Sequence, residues 1–138
     1  MNRNCLKLVL VCAAILMPGC GHDQQLVSIA IQPGVETFGS SNTPVFLDKG
    51  LNVQLMALGS YIHPPVTKDI TTQVKWVSST PQMVTVSATG LITATGEACG
   101  STLISATVTT NSSANNQTSS GALITGTMTA NVTCDTTP

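Results

Sequence analysis

From Leu26 onward, apolar residues recur at every second position rather than at helical spacing, and runs of that alternation are short and separated by Gly, Pro, Asn or Ser. A period of two is the mark of a strand with one face buried. Leu26 to Gln32 sets Val27, Ile29 and Ile31 against Ser28, Ala30 and Gln32, and Pro33-Gly34 ends the run. Val35 to Pro44 reads as a loop and Val45 to Leu47 as a brief edge strand before the Asp48-Lys49-Gly50 turn. Leu51 to Leu58 follows, with Leu51, Val53, Leu55 and Ala57 on one face and a partly apolar second face from Met56 and Leu58. Ser60 to Thr72 holds His63-Pro64-Pro65 and reads as a long connection, because Pro cannot donate to a strand ladder.

The densest patterning lies in Val74 to Val108, which divides into four short strands and their turns. Val74 and Trp76 share one face, while Gln73, Lys75 and Val77 share the other, so Trp76 is the expected core aromatic. Met83 to Val86 and Leu91 to Thr95 flank a tight turn at Ala88-Thr89-Gly90, and Gly96 to Gly100 forms a corner. Thr102, Ile104, Ala106 and Val108 then alternate inward, and Met128, Ala130, Val132 and Cys134 do so after a polar tip. The predicted core therefore includes Val74, Trp76, Val86 and Ile104. About seven strands with no helical period point to an all-β, antiparallel, immunoglobulin-like sandwich.

The first nineteen residues follow another rule, with Arg3 and Lys7 ahead of the apolar run Leu8 to Met17, then Pro18, Gly19 and Cys20. Such a run is an export signal, being shorter than the ~20 residues a permanent membrane helix needs. Met17-Pro18-Gly19-Cys20 resembles the lipobox of bacterial lipoproteins, with Met and Pro departing from its commonest form. That resemblance implies lipidation at Cys20 and anchoring of the mature chain in a membrane. Gly21, in place of the Asp that tends to retain such proteins in the inner membrane, points to the outer membrane. The expected organisation is a signal peptide over 1–19, a tether over 20–25, a domain over 26–134 and a tail over 135–138.

This organisation simplifies the cysteines. Cys5 and Cys12 leave with the leader and Cys20 takes lipid, so Cys99 and Cys134 remain in an exported chain, where a disulfide is expected. A hairpin folded near residue 116 would place Cys99 opposite Cys134 on neighbouring strands. A zinc pair is the weaker alternative, since neither Cys sits in a CxxC motif or near a His.

Composition narrows the function classes. Charged residues make up 8% of the chain, and its 13 Ser and 21 Thr suit the outward faces of strands. The formal net charge is −1, and loss of Arg3 and Lys7 would leave Lys49, Lys68 and Lys75 against six acids. Nothing in that balance would hold a nucleic acid.

The order of the pieces is similar to the group 2 bacterial immunoglobulin-like domain of the invasin and intimin type. Gly50 to Ala57 resembles the family's "qLtA" strand. Asp69-Ile70-Thr71, Val74 to Ser79, Val84 to Ser87 and Gly90 to Ala94 follow its "dvT…v.W.Ss…vatVs..Glvta" run. Gly100 to Ala106 resembles "Gta.ItA", and Thr129 to Cys134 the close. The Cys pair and the Asn/Ser/Thr-rich stretch Asn111 to Gly121 depart from the general pattern. The resemblance implies a rigid extracellular or periplasmic module, in places carrying adhesion or carbohydrate contact, and no catalysis.

Candidate chemistry is sparse. His63, Asp69 and Glu97 are the one set that could be assembled for acid/base work, yet they fall on separate predicted loops without a GxSxG or HExxH motif. His22 lies in the tether, and the six acids are too scattered for a calcium loop. No cofactor and no metal are expected. Among the four aromatics, Trp76 and Phe46 are assigned to the core, and Phe38 and Tyr61 are the two candidates for exposed, ligand-stacking rings, a role weighed against the favoured reading that they serve local packing. Asn111, Asn115 and Asn116 mark the polar tip as a binding loop, and Asn111, Asn116 and Asn131 begin N-x-Ser/Thr triplets that read as solvated turn residues. Two functions follow: a non-catalytic, lipid-anchored envelope module that meets a protein or polysaccharide, or a carbohydrate-binding accessory lipoprotein. Oligomeric state is open.

Overall fold

The final hairpin sets the frame. The computed structural model describes residues 24–39, 50–110 and 121–134. In it β9 (Gly100–Thr109) and β10 (Leu123–Val132) pair antiparallel over ten residues each. Thr102, Ile104, Ala106, Met128, Ala130 and Val132 are buried on one side of this ladder, and Ser101, Leu103, Thr125 and Thr127 are exposed on the other. β6 (Lys75–Ser78) adds to β9 antiparallel, with Trp76 opposite Ala106. β2 (Val35–Phe38) adds to β10 in parallel, with Phe38 opposite Val132. The result is a four-stranded sheet in the order β2-β10-β9-β6.

The opposing layer is built on Asn52 to Ile62, which breaks at Leu55 into β3 (Asn52–Gln54) and β4 (Met56–Ile62). β3 lies beside β8 (Leu91–Ala94), which pairs in turn with β7 (Val84–Val86). β4 lies between β1 (Gln25–Gln32) and β5 (Val66–Asp69). Leu55 is fully buried at the break, and its amide donates to Gly90 O at 2.9 Å, so the chain continues from one three-stranded sheet into the other. These ten described strands form an immunoglobulin-like β-sandwich.

Between the layers sit Leu55, Ile70, Val84, Ile92, Ile104 and Met128. Full burial of aliphatic side chains of this size stabilises a fold by about 1.5–3 kcal/mol each. Trp76 closes one side of this core, and its indole Nε1 donates to Thr71 O at 2.9 Å, satisfying the ring's polar atom. Gly90 is required beneath it: its φ is +81°, and a Cβ there would lie 3.0 Å from Trp76 Cζ2 and 3.1 Å from Leu55 O. Gly126 is required where β10 crosses β1, because a Cβ would meet Ile29 O at 2.5 Å.

Four expectations from the sequence need correction. In β1 the register shifts between Leu26 and Ser28, so Leu26 is buried and Val27 is turned out at 46% exposure, while Ile29 and Ile31 face the core. Val35 to Phe38 is strand, not loop; its partner is β10, more than 90 residues away, and no local pattern announces a parallel pairing. The connection expected over Ser60 to Thr72 is the tip and return of the β4–β5 hairpin, with Ile70 buried in the core. Leu51 to Leu58 is two strands, and Leu51 is exposed at 49% while Leu55 and Ala57 are buried. Cys20, the leader and Val45 to Leu47 lie outside the described residues.

Candidate functional site

The Cys pair is joined. Cys99 and Cys134 form a disulfide with a Cα–Cα distance of 5.1 Å, closing a sequence separation of 35 residues. They sit just past the last rung of the final hairpin, where Gly100 faces Val132. A regular continuation would set Cys99 opposite Thr133; Gly100 has φ +125° and bends the chain so that Cys134 meets it instead. Both cysteines are exposed, so the bridge ties the end of β10 to the corner before β9 at the protein surface.

The two candidate stacking rings are both used in packing. Phe38 is 3% exposed, because the outward–inward alternation of β2 points it and Glu36 toward the interior, next to Val132. Its assignment as a stacking residue is therefore corrected: it is a core residue. Tyr61 is half-buried in β4, packs against the core edge and carries Lys68 Nζ 5.0 Å from its ring centroid. The Lys68 ammonium also donates to Gln24 Oε1, so the ring and the cation hold the start of β1 against the β4–β5 hairpin. Asn111, Asn115 and Asn116 lie outside the described residues. Of the predicted core residues, Val74, Trp76 and Ile104 are buried, and Val86 is half-buried against them.

The acid/base set is not brought together. Glu97 belongs to the corner after β8, at the end of the layer where Gly50 N donates to Ala94 O. His63 is at the β4–β5 tip, at the far end of the run Asn52 to Ile62, some 35 Å of strand away at about 3.3 Å per residue. Asp69 pairs with Leu58 between them and is occupied locally. Its Oδ1 accepts from Thr71 Oγ1 at 2.5 Å and from Thr71 N at 2.9 Å, and Thr71 Oγ1 accepts from Ala57 N at 2.9 Å. The Thr71 hydroxyl, then its amide, hold the Asp69 carboxyl below its ordinary value of 3.8. Asp69 thus serves a turn that caps the end of β5. Among the described residues, no group of three or more His, Cys, Asp or Glu could hold a metal ion.

Sequence reasoning passed over one surface, the outer face of the β2-β10-β9-β6 sheet. Ser and Thr alternate there along β9 and β10, and Thr107 and Thr125 face each other with hydroxyls 3.3 Å apart. Exposed Val35, Val77, Leu103 and Leu123 interrupt the hydroxyls at 61%, 44%, 50% and 67% exposure. The alternation that located the inward residues also located these, but their neighbours across strands are defined by the sheet order alone.

No curated protein matches the chain. Residues 35–119 match the model of the bacterial Ig-like domain (group 2), a span that runs from β2 through β9. β1 and β10 lie outside the matched span, yet β10 is hydrogen-bonded between β2 and β9, so the sandwich extends past it on both sides. With an immunoglobulin-like sandwich and a match over more than half its length, the chain belongs to the family of the bacterial Ig-like domain (group 2).

Proposed function

We propose that this protein is a non-catalytic, lipid-anchored module of the bacterial cell envelope, with an adhesive or protein-interaction role. Membership of the family supports the coarser part, a structural or interaction module, since this fold is generally non-catalytic. The observation that carries the reading is how the side chains are used. Among the described residues His63 and Glu97 lie toward opposite ends of the sandwich, and the Asp69 carboxyl, held below its ordinary value by Thr71, is spent on a turn.

The lipobox-like Met17-Pro18-Gly19-Cys20 supports anchoring through Cys20. β1 begins at Gln25, five residues later, so a lipid on Cys20 would hold the sandwich close to the outer membrane with no stalk. Metabolic labelling with a fatty-acid analogue tests this. Wild-type chain incorporates label and Cys20→Ala does not; unlabelled wild type would refute anchoring. The alternative of a carbohydrate-binding accessory lipoprotein is weakened, because Phe38 is interior and Tyr61 already carries Lys68 on its ring.

A further inference from the structure

We infer, on the reading that Cys20 carries lipid, that the tip of the β4–β5 hairpin is a second membrane contact, seated on the anionic phosphate headgroups of the surface that the anchor enters. The first rungs of the β1–β4 ladder set the start of the sandwich beside this tip. Gln25 faces Ile62 and Leu26 faces Tyr61, while Tyr61 faces Val66 across the hairpin. The turn His63-Pro64-Pro65 therefore stands level with the point where the chain enters from Cys20. Gln24 follows Cys20 by four residues, a reach of at most about 14 Å. The corner that carries Glu97 lies roughly 35 Å of strand from the tip. A lipid on Cys20 thus has the tip within its reach and the far corner beyond it.

Lys68 fixes that entry point. Its ammonium donates to Gln24 Oε1 and lies 5.0 Å from the Tyr61 ring centroid, so Gln24 is held on the hairpin instead of pivoting freely about β1. An ammonium has three donors, and the contact with Gln24 uses one, so exposed Lys68 keeps donors for phosphate oxygens. The side chains around it suit the boundary between water and lipid. Pro64 and Pro65 are exposed, Val66 is exposed at 37%, and Tyr61 sets an apolar ring with a polar hydroxyl at the same level.

Charge is distributed along the sandwich in the matching sense. β1 and β10 run the same way, since Ile29 crosses at Gly126 and Gly34, further along, accepts from Thr129 N. Lys75 lies level with Thr107 and Thr125, on the tether side of that crossing, and the Lys68 ammonium reaches the same side. Glu36 lies level with Ala130 and Thr102 on the far side, and Glu97 lies beyond the last rung, where Gly100 faces Val132. Asp69 is midway, its carboxyl closed on Thr71. Among the described residues, both lysines are therefore toward the tether end and both glutamates toward the other. An anionic surface attracts the first end and repels the second. That attraction fades within about 10 Å, so a short tether is what brings the tip into range.

The experiment uses the full chain purified from a bacterial envelope and reconstituted into vesicles of phosphatidylethanolamine and phosphatidylglycerol whose headgroups carry a fluorescence quencher. A fluorescent amino acid is placed at Val66, on the tip, or at Glu97, on the far corner. Flotation reports the anchor first: the chain should rise with the vesicles, and a chain that stays behind would overturn anchoring and the tip contact together. In floated protein the probe at Val66 should be quenched and the probe at Glu97 should not. Lys68→Gln should lower the ratio of quenched to unquenched probe at Val66 about fivefold, the effect of one basic side chain near an anionic surface. Lys68→Arg should restore it, and vesicles of phosphatidylcholine alone should weaken it as Lys68→Gln does. Floated protein with an unquenched Val66, equal quenching at both positions, or quenching indifferent to Lys68→Gln or to the loss of phosphatidylglycerol would overturn the tip contact and leave the anchor standing.

Discussion

Gly126→Ala tests the contact between the two layers directly. Gly126 lies on the buried side of β10, and a Cβ there would sit 2.5 Å from Ile29 O, 3.0 Å from Ile29 C and 2.9 Å from Ile29 Cγ2. Two of those three atoms are backbone, held in β1 by its ladder with β4, where Ile29 faces Gly59. They cannot rotate away as a side-chain tip would. Restoring ordinary contact requires β1 and β10 to separate by most of an ångström, which would loosen the packing of Ile29 and Ile31 over the core. Overpacking costs about 1–3 kcal/mol and occasionally more; with backbone as the obstacle we expect the upper end, about 3 kcal/mol. At roughly 4 °C per kcal/mol, where the ranges for smaller and larger domains meet, the melting midpoint should fall by about 12 °C. The matched control is Gly34→Ala, whose nearest neighbour would be Ile31 O at 3.9 Å and whose φ lies outside the left-handed region. That change should be neutral or slightly stabilising, because alanine restricts the unfolded chain. Urea unfolding of both purified variants beside wild type gives the answer. A Gly126→Ala protein within about 0.5 kcal/mol of wild type, the ordinary range for a benign surface change, would refute the close crossing of β1 and β10.

Other expectations follow from single contacts. Thr102 is 4% exposed and its Oγ1 has no hydrogen-bond partner, so Thr102→Val, which keeps the shape and removes the stranded hydroxyl, should stabilise the protein by about 1 kcal/mol in denaturant titration. Breaking the disulfide with Cys99→Ala plus Cys134→Ala should cost about 3 to 4 kcal/mol for the loop it closes, and a reductant should lower the melting midpoint of wild type but not of the double variant. Asp69 has a depressed pKa, so its contribution is present above the ordinary 3.8 and is lost as pH falls through its lower folded value. Asp69→Asn should therefore be less stable than wild type near neutral pH, with the gap closing in acid; a gap that stays constant down to strongly acid pH would contradict the Thr71 hydrogen bonds as its source.

Much of this architecture is present in local pattern. Val74 and Trp76 against Lys75 and Val77, and Thr102, Ile104 and Ala106 against Leu103, declare both strand and buried face, because a period of two leaves a single inward set. The Cys pair was legible too, within one residue of its rung. Features that depend on which strand lies alongside were not legible. β5 is exposed at every position and so carries no alternation; it is a strand because β4 lies beside it. β2 is a strand because β10 reaches it from the far end of the chain, and that pairing turns Phe38 from a candidate ligand contact into core. The irregular register at Leu26 exchanges it with Val27, a one-residue slip that hydropathy cannot distinguish when both residues are aliphatic.

Sequence by itself determined that the chain is a strand-rich sandwich, where most of its inward residues lie and which two cysteines pair, since each follows from alternation, turn residues and spacing along the chain. Tertiary structure alone decided which strands are neighbours. It thereby decided that Gly126 must be glycine where β1 crosses β10, that Phe38 and Tyr61 are not free rings, and that Leu103 and Val77 lie in adjacent rows of neighbouring strands. The physical reason is that hydrophobic burial is non-directional: it selects which side chains go inside, whereas surface neighbours and close backbone approaches exist only once long-range hydrogen bonds have set the order of the sheet.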